Sequence, residues 1–213
     1  MGGPLHNLLL FTRHRASAVF TWNDTDLTQF PLQGNSPSFD SGFGNPTSVN
    51  GTDVNSINLL QPYSYVAADG SNYFESPQTF QFDWYLDTTN FGGIYNYGCV
   101  FFACDSSGNG PCLSLNGSGR VGQGYGEGFF NNSDGFTPFA MVTGGSLPAQ
   151  YNPGQWYSMR VMLSGTTAMW NIWNGSVWVL IQTATVTPLG QYFGIGCGGG
   201  YVGGYATNIK ILP

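Results

Sequence analysis

The sequence predicts an all-β fold in which two antiparallel sheets pack as a jelly-roll sandwich. Apolar and polar residues alternate with period two in several segments, as expected where successive side chains point to opposite faces of a strand. The chain is rich in turn-forming residues, with 32 glycines and 12 prolines, and no segment has a convincing helical period. About eleven or twelve strands fit two packed sheets of this kind.

The N-terminal half is predicted to begin with an arm, residues 1–15, which precedes a single domain over residues 16–213. Residues 31–56 are rich in Gly, Asn, Ser and Pro, which indicates long loops. The clearest strand of this half is Gln78–Leu86, in which Phe80, Phe82, Trp84 and Leu86 alternate with polar residues and Tyr85. Further strands are predicted at 18–22, 56–68 and 93–103.

The C-terminal quarter has the most regular pattern of the chain. Trp156–Leu163 places Tyr157, Met159, Val161 and Leu163 on one face. Two further strands, 167–173 and 177–186, are predicted to form a hairpin, because Asn-Gly at 174–175 tolerates the positive φ angles of a type I′ turn. The remaining strands are predicted at 120–130, 136–142, 191–196 and 205–212.

The order of motifs from Gly154 to Leu212 resembles a known fold family. A Gly-Gln-Trp-Tyr strand, a Ser-Gly-Thr-Thr turn, the Asn-Gly hairpin and a closing Ala-Thr-Asn-Ile-Lys-Ile-Leu strand are similar to the C-terminal half of concanavalin A-like, laminin-G-like jelly-roll domains. The resemblance covers about sixty residues and implies the same two-sheet fold. Asn208 stands where the closing strand of such domains often carries an acidic residue.

The charge content of the chain excludes some functions. Only 8% of residues are charged, against roughly 25% in typical globular domains. A surface covered by uncharged polar residues suits an extracellular protein. The net charge of −6, with five basic residues, argues against nucleic acid as a partner, because phosphate binding needs several Lys or Arg side chains on one face. Arg13-His14-Arg15 is interpreted as a solvated turn or as a contact for an acidic partner.

Four cysteines permit three disulfide pairings. Cys104 and Cys112 bracket a turn-forming segment, and we predict a bridge between them. Cys99 and Cys197 would form the second bridge, and free buried thiols are the alternative. No Cys-x-x-Cys or Cys/His cluster indicates a zinc site.

Five Asn-x-Ser/Thr sequons are candidate glycosylation sites. They occur at Asn23, Asn50, Asn116, Asn131 and Asn174. No apolar segment approaches the about 18 residues of a transmembrane helix. Leu8–Phe11 is shorter than the roughly 7–15 apolar residues of a secretory signal. Assembly into a virus particle would therefore be one route by which such a protein reaches the outside of a cell.

The carboxylates of the chain indicate whether it could be a hydrolase, because glycoside hydrolysis normally needs two of them flanking the glycosidic bond. Glu75 and Glu127 are the only glutamates, and neither lies in the Glu-x-Asp-x-x-Glu motif of laminarinase-like hydrolases. Asp83 is expected to be a polar surface residue of its strand. The two histidines, His6 and His14, lie in the predicted arm, so no Ser-His-Asp arrangement is indicated. We therefore predict that the protein is not an enzyme.

Sugar-binding sites use aromatic rings that stack on pyranose faces. The candidate rings are Trp84, Tyr85, Tyr97, Tyr125, Trp173 and Trp178, with Tyr95 and Tyr201 as further candidates. No cofactor is predicted, although two loops, Asp105–Asn109 and Asn131–Asp134, group oxygen atoms of the kind that bind calcium. Turn formation explains the composition of both loops equally well.

Three functions follow from these observations. The first is a non-enzymatic, lectin-like surface protein that is a structural or attachment component of a virion or extracellular filament. In this function the arm would add a strand to the sheet edge of another copy or of another coat protein, and cell-surface glycans would be further partners. The alternatives are a free carbohydrate-binding module and a glycoside hydrolase of the concanavalin A-like group. The predicted location is extracellular or on the virion surface.

Overall fold

The computed structural model describes nine segments of the chain, and every strand pair in them is antiparallel. The described residues are 18–34, 36–60, 64–70, 77–86, 97–116, 120–126, 145–146, 154–197 and 204–213. No helix long and apolar enough to cross a bilayer occurs among them. The predicted arm, residues 1–15, lies outside the described residues.

Fifteen strands occur in the described residues. In chain order they are β1 (Phe20–Thr21), β2 (Leu32–Gly34), β3 (Ser38–Asp40), β4 (Ser56–Asn58), β5 (Tyr65–Asp69), β6 (Gln78–Leu86), β7 (Tyr97–Cys104), β8 (Gly110–Asn116), β9 (Arg120–Gly126), β10 (Gly145–Ser146), β11 (Trp156–Ser164), β12 (Thr167–Trp173), β13 (Trp178–Thr185), β14 (Tyr192–Cys197) and β15 (Gly204–Leu212).

The strands form two sheets, which we name the front sheet and the back sheet. The front sheet has eight strands in the order β13-β12-β11-β6-β15-β4-β3, with β1 paired to β15. The back sheet has seven strands in the order β10-β9-β8-β7-β14-β5-β2. Neighbouring strands are often distant in sequence, as in β11-β6-β15, which is expected when a chain crosses repeatedly between two sheets.

The core lies between the sheets and takes alternate residues from each. On β6, Phe80, Phe82 and Trp84 point inward, and Met159 and Val161 do the same on the neighbouring strand β11. The back sheet contributes Val66, Val100, Phe102, Leu113, Phe193 and Ile195. Burial of such side chains stabilises the sandwich by roughly 1.5–3 kcal/mol each before the entropy of ordering is counted. The period-two pattern of the sequence therefore marks the inward face of the front sheet.

Most predicted strands are confirmed, but β2 and β3 lie within 31–56, which was predicted to form long loops, and β10 was not predicted. Three further differences concern the other strands. The segment predicted as one strand over 56–68 forms two, β4 and β5, which belong to different sheets. Strand β8 was not predicted, because its Gly-Pro start looks like a turn. The β12–β13 hairpin is confirmed, but its loop has four residues, 174–177. Asn174 Oδ1 accepts the backbone N–H groups of Ser176 and Val177, so the predicted two-residue type I′ turn is wrong. The segments 127–130 and 136–142 lie outside the described residues.

The predicted disulfide between Cys104 and Cys112 is wrong, because both are buried cysteines that are not bridged. Cys112 lies opposite Phe101 on the neighbouring strand. The chain is not extended just before Cys104, since Ala103 has a φ of 52°, and the Cys104 thiol donates to the carbonyl oxygen of Pro111 at 3.6 Å. Burial also raises the pKa of the Cys104 thiol. Cys99 and Cys197 lie on the adjacent strands β7 and β14, opposite Gly196 and Gly98, and their bridge stays a prediction.

Candidate functional site

Three aromatic residues form a row across the outer face of the front sheet. Trp156 on β11 lies opposite Tyr85 on β6, and Tyr85 lies opposite Tyr205 on β15. The ring centroids are 5.5 Å apart for Trp156 and Tyr85 and 5.9 Å apart for Tyr85 and Tyr205. All three rings are partly exposed, so the row is an aromatic surface outside the core.

Phe43 packs on this row from the β3–β4 loop, residues 41–55. Its ring centroid lies 4.6 Å from Tyr205, 5.1 Å from Tyr85 and 5.5 Å from Trp156. Edge contacts of this kind contribute about 0.5–1.5 kcal/mol beyond the buried area. The four rings therefore attach the loop to the outer face of the sheet.

A second aromatic group lies at the β12–β13 hairpin on the same outer face. Trp173 and Trp178 are paired in register, and their ring centroids are 5.5 Å apart in an edge-to-face arrangement. Arg160 on β11 reaches across β12, so that its Cζ lies 4.4 Å from the centroid of the Trp178 ring. The Nε of Arg160 donates to Asn171 Oδ1 at 3.1 Å. This geometry orients the guanidinium group at the surface.

Between the two aromatic groups the outer face holds a buried carboxylate. Asp83 is 0% exposed although it belongs to the outward set of β6. Three amide groups donate to it: Asn45 Nδ2 at 3.1 Å, Asn50 Nδ2 at 2.9 Å and Asn208 Nδ2 at 2.7 Å. The expectation that Asp83 is a surface residue is wrong, because the β3–β4 loop covers it with Asn45 and Asn50.

Two serine hydroxyls complete the surroundings of Asp83. The hydroxyl groups of Ser48 and Ser158 lower the pKa of its carboxyl group. Their oxygen atoms also accept backbone N–H groups of the loop, from Asn50 to Ser48 at 2.9 Å and from Val49 to Ser158 at 3.3 Å. Burial raises the pKa of Asp83, and the hydrogen bonds from the serine and asparagine side chains oppose that rise. Neutral donors therefore stabilise the carboxylate, and the loop is attached through it.

Strand β15 contributes to the site through a bulge. Thr207 pairs with Asp83 and Lys210 with Gln81, so β15 has one residue more than β6 between these pairs. Asn208 lies in the bulge with φ of 53°, a conformation that asparagine tolerates better than most residues. The bulge lets its Nδ2 reach Asp83 while its Oδ1 accepts the N–H of Asp53 at 3.0 Å.

The rest of the β3–β4 loop is held at several points. Lys210 Nζ donates to the Asn50 carbonyl at 2.6 Å, and the Asp24 carboxylate accepts the N–H groups of Val54 and Asn55 at 3.0 Å each. Gly44 has no room for a side chain, since a Cβ would lie 2.5 Å from the carbonyl oxygen of Asp53. The loop is therefore a built part of the front face.

A cleft of about 470 Å³ opens within this loop. Its lining includes Asn45, Ser48, Thr52 and Asp53. Asp53 Oδ2 is buried and has no hydrogen-bond partner among the described residues. Burial raises the pKa of Asp53, and the nearby Asp24 carboxylate adds to the rise, while Lys210 opposes it. The cleft is thus a polar concavity in the loop that packs on the aromatic row.

The structure places the predicted sugar-binding residues in three groups. Trp84 is in the core at 2% exposure, so its prediction as a ligand contact is wrong: even positions of β6 face inward. Tyr85, Trp173 and Trp178 lie together on the outer face of the front sheet. The side chains of Tyr97 and Tyr125 are outside the described part of the structure, as are the residues Tyr95 and Tyr201.

Sequence reasoning missed the other members of this face. Trp156 and Arg160 belong to the outward set of β11, and the alternation along that strand was sufficient to find them. Tyr205 lies opposite Tyr85, which only the strand pairing reveals. Phe43 and Asn45 come from a segment predicted only as loop, and no local pattern links them to Asp83.

The candidate glycosylation sites fall into three groups: exposed, buried and outside the described residues. Asn23 and Asn174 are exposed and stay predictions. Asn50 is only 6% exposed, and its Nδ2 donates to the Phe82 carbonyl and the Asp83 carboxylate. The prediction of a glycan on Asn50 is therefore wrong, because the nitrogen that would carry it is enclosed. The side chain of Asn116 and the whole of Asn131 lie outside the described residues.

The residues of this face do not fit a metal ion at Asp83. A cation needs oxygen lone pairs, whereas Asp83 is surrounded by N–H and O–H donors. In the Asp105–Asn109 loop, Asp105 accepts the N–H groups of Ser107 and Asn109 and the Asn109 side chain, so a turn explains that loop. No group of three or more His, Cys, Asp or Glu suited to a metal occurs in the described segments. The loop at 131–134, with Glu75 and Glu127, lies outside them.

The strand order and the two packed antiparallel sheets define a concanavalin A-like jelly-roll sandwich, as the C-terminal motifs implied. Among solved structures, the chain is similar to the exoplasmic/lumenal domain of VIP36 in its Ca²⁺/Man3GlcNAc-bound form, with a TM-score of 0.54 and 12% identity over 91% of this chain and 90% of that domain. The Ca²⁺/Man2-bound form of the same domain has a TM-score of 0.51 and 11% identity, over 90% and 88%. The carbohydrate-binding module CBM66 from Bacillus subtilis has a TM-score of 0.49 and 11% identity, over 84% and 92%.

At these identities the likeness concerns the fold. No protein-family model matches the chain, and no curated protein matches it by sequence. The similar structures therefore do not identify binding residues in this chain.

Proposed function

We propose that the protein binds carbohydrate through the outer face of its front sheet. The observation that carries the proposal is the accumulation of partly exposed aromatic rings on this one face: Trp173 and Trp178 at the hairpin, and the row of Trp156, Tyr85 and Tyr205 beside it. Rings exposed on a sheet surface provide flat apolar areas on which the C–H faces of sugars can stack.

Polar groups close to the rings supply the second part of a sugar site. Arg160 lies over Trp178 and provides a guanidinium group for hydroxyl groups of a ligand, and the buried Asn171 holds it in place through Oδ1. Two similar structures support the proposal by their ligands, since the VIP36 domain was solved with Man3GlcNAc and with Man2.

The test is a glycan array followed by titration calorimetry with the best ligand. Trp173→Ala should weaken binding about tenfold or more, because loss of one stacking ring is worth at least about 1.4 kcal/mol at a central contact. Val177→Ala is the matched control, since Val177 lies on the same hairpin, is 57% exposed and presents no ring. Absence of binding to every glycan at high protein concentration would contradict the proposal.

We also propose that the protein is not an enzyme. Among the described residues, Asp83 is the one carboxylate between the two aromatic groups, and its oxygen atoms are engaged by the surrounding donors. Hydrolysis needs an acid and a second carboxylate flanking the bond, and the engagement of Asp83 argues against such a role. Release of reducing sugar from any bound polysaccharide, abolished by Glu75→Gln or Glu127→Gln, would contradict this.

The biological setting is proposed from the sequence. A surface with 8% charged residues and an apolar N-terminal arm support a structural or attachment component of a virion or extracellular filament, with copies of itself or other coat proteins as partners. Deletion of residues 1–15 should then abolish assembly while glycan binding remains. Particles of unchanged size on a sizing column after the deletion would contradict the role of the arm.

A further inference from the structure

Arg160 is a positive group on the proposed binding face of an acidic protein. The chain has a net charge of −6 and only five basic residues. Two of the five, Arg160 and Lys210, belong to one row across the front sheet, on either side of Gln81. The nearest carboxylate of the outward set, Asp83, is buried under the β3–β4 loop. Because the Asp53 carboxylate interacts with Lys210, Arg160 is the cation of this row for which no such carboxylate is found among the described residues.

The guanidinium group of Arg160 is oriented but not neutralised. Its Cζ stacks 4.4 Å from the centroid of the Trp178 ring, and its Nε donates to Asn171 at 3.1 Å. Within the described residues, its two Nη atoms make no hydrogen bond and no carboxylate forms an ion pair with it. Partial burial lowers the pKa of Arg160 because it removes water from the charged group.

We propose that Arg160 binds the anionic group of an acidic saccharide, a carboxylate or a sulfate. This rests on the proposed function and names its ligand class. The free Nη edge of a stacked guanidinium matches two oxygen atoms of such a group in a bidentate contact. Trp178 and Asn171 are the positioning residues that hold Arg160 in place, and Trp173, which lies against the edge of Trp178, is the ring left for stacking on the sugar.

The experiment compares matched polymers on the wild-type protein and four variants. Dextran sulfate is paired with dextran, and polygalacturonate with its methyl ester, so that each pair differs only in charge. Because the protein has a net charge of −6, general attraction does not favour polyanions. We expect the wild type to bind at least one acidic polymer more tightly than its neutral partner, with an affinity that falls as salt rises.

Arg160→Gln should remove this preference. We expect it to weaken binding of the acidic polymer about tenfold to a hundredfold, as for loss of a charge-assisted bidentate contact, and to weaken binding of the neutral polymer much less, as for loss of an ordinary hydrogen bond. Arg160→Lys should recover only part of the affinity, because a point charge lacks the planar fork. Leu180→Ala is the control: Leu180 lies on the same face opposite Asn171 and is 53% exposed, and its loss should change neither affinity nor salt dependence.

The outcomes separate the two proposals. Equal binding of acidic and neutral polymers, with no effect of Arg160→Gln, would overturn the inference and leave the sugar-binding function intact. Absence of binding to all polymers and to a glycan array would overturn both. A weaker affinity in Asn171→Ala with an unchanged salt dependence is the expected result for a positioning residue, since the cation itself is still present.

Discussion

The outer faces of the two sheets are closed by different chemistry. On the back sheet the outer face holds a buried apolar cluster of Tyr65, Ala67, Phe101, Cys104 and Cys112, each at most 3% exposed. On the front sheet the corresponding layer is polar. There the buried groups are a carboxylate, three asparagines and Ser158, with aromatic rings on the same face.

This difference is visible in the strands themselves. Strands β5 and β7 of the back sheet contain continuous apolar runs, as expected for strands buried on both faces. Strands β6 and β11 of the front sheet alternate, and their outward positions hold the polar and aromatic groups. The comparison teaches that alternating strands carry the proposed binding surface of this sandwich, while continuous apolar strands carry a second buried cluster.

The largest expected effect is on the apolar side. Phe101→Ala should lower the free energy of unfolding by about 3–5 kcal/mol, because a fully buried ring is replaced by a cavity. Denaturant unfolding at two pH values measures the effect, which should be independent of pH. A loss below about 1 kcal/mol would mean that the back-sheet cluster is loosely packed, and the contrast between the two faces would then fail.

On the polar side, Asp83→Asn should cost about 1–3 kcal/mol. The substituted amide offers one acceptor where the carboxylate offered two oxygen atoms, and its own N–H groups face the donors of Asn45, Asn50 and Asn208. Asp69→Asn is the control, since Asp69 is exposed and its substitution should stay within about 0.5 kcal/mol. Equal effects of the two substitutions in denaturant unfolding would argue against a role for Asp83 in holding the loop.

Phe43→Ala should have a smaller effect, about 0.5–1.5 kcal/mol, because the ring is only partly buried and loses edge contacts to three neighbours. The emission of Trp156 should shift to longer wavelength as its ring gains contact with water. Thermal unfolding and tryptophan fluorescence measure the two effects. An unchanged spectrum together with unchanged stability would show that Phe43 does not attach the loop.

The smallest expected effect is a dependence of stability on pH that comes from two carboxyl groups of the front face. Burial raises the pKa of Asp83 and of Asp53 above the ordinary value of 3.8, so the folded chain holds these protons more tightly than the unfolded chain. Their contribution to stability is therefore fully present below about pH 3.8 and is lost as pH rises through the raised values.

Denaturant unfolding at several pH values between about 4 and 7 tests this sign. Asp83→Asn should flatten the part of the curve that falls with rising pH, and Phe101→Ala should leave its slope unchanged. A wild-type stability that increases through this range in parallel with that of Asp83→Asn would contradict the raised pKa of Asp83.

The sequence predicted the fold well where patterns are local. The bounds of β6 and β12 were predicted to the residue, because alternating side chains report directly on a half-buried strand. The resemblance of the C-terminal motifs to concanavalin A-like domains was confirmed by the sheet arrangement. Of the candidate site, Tyr85, Trp173 and Trp178 were named in advance, since large aromatic residues next to a turn are visible without a structure.

The wrong predictions concerned residues whose surroundings depend on how the strands pair and pack in space. Trp84 and Tyr85 are adjacent aromatic residues on strand β6, and only the position of the core decides which of them faces outward. Cys104 and Cys112 are close in sequence, yet only the structure shows that they are not bridged and that the Cys104 thiol donates to the carbonyl oxygen of Pro111.

The amino-acid sequence by itself determined the strands, the hairpin and the low charge of this protein, because these depend on residue type and on spacing of a few positions. Only the tertiary structure decided that Asn45, Asn50 and Asn208 meet at Asp83, and that Arg160 stacks on Trp178. These contacts join segments as much as 125 residues apart. The physical reason is that hydrogen bonding and ring stacking act over a few ångströms of space, whatever the distance along the chain.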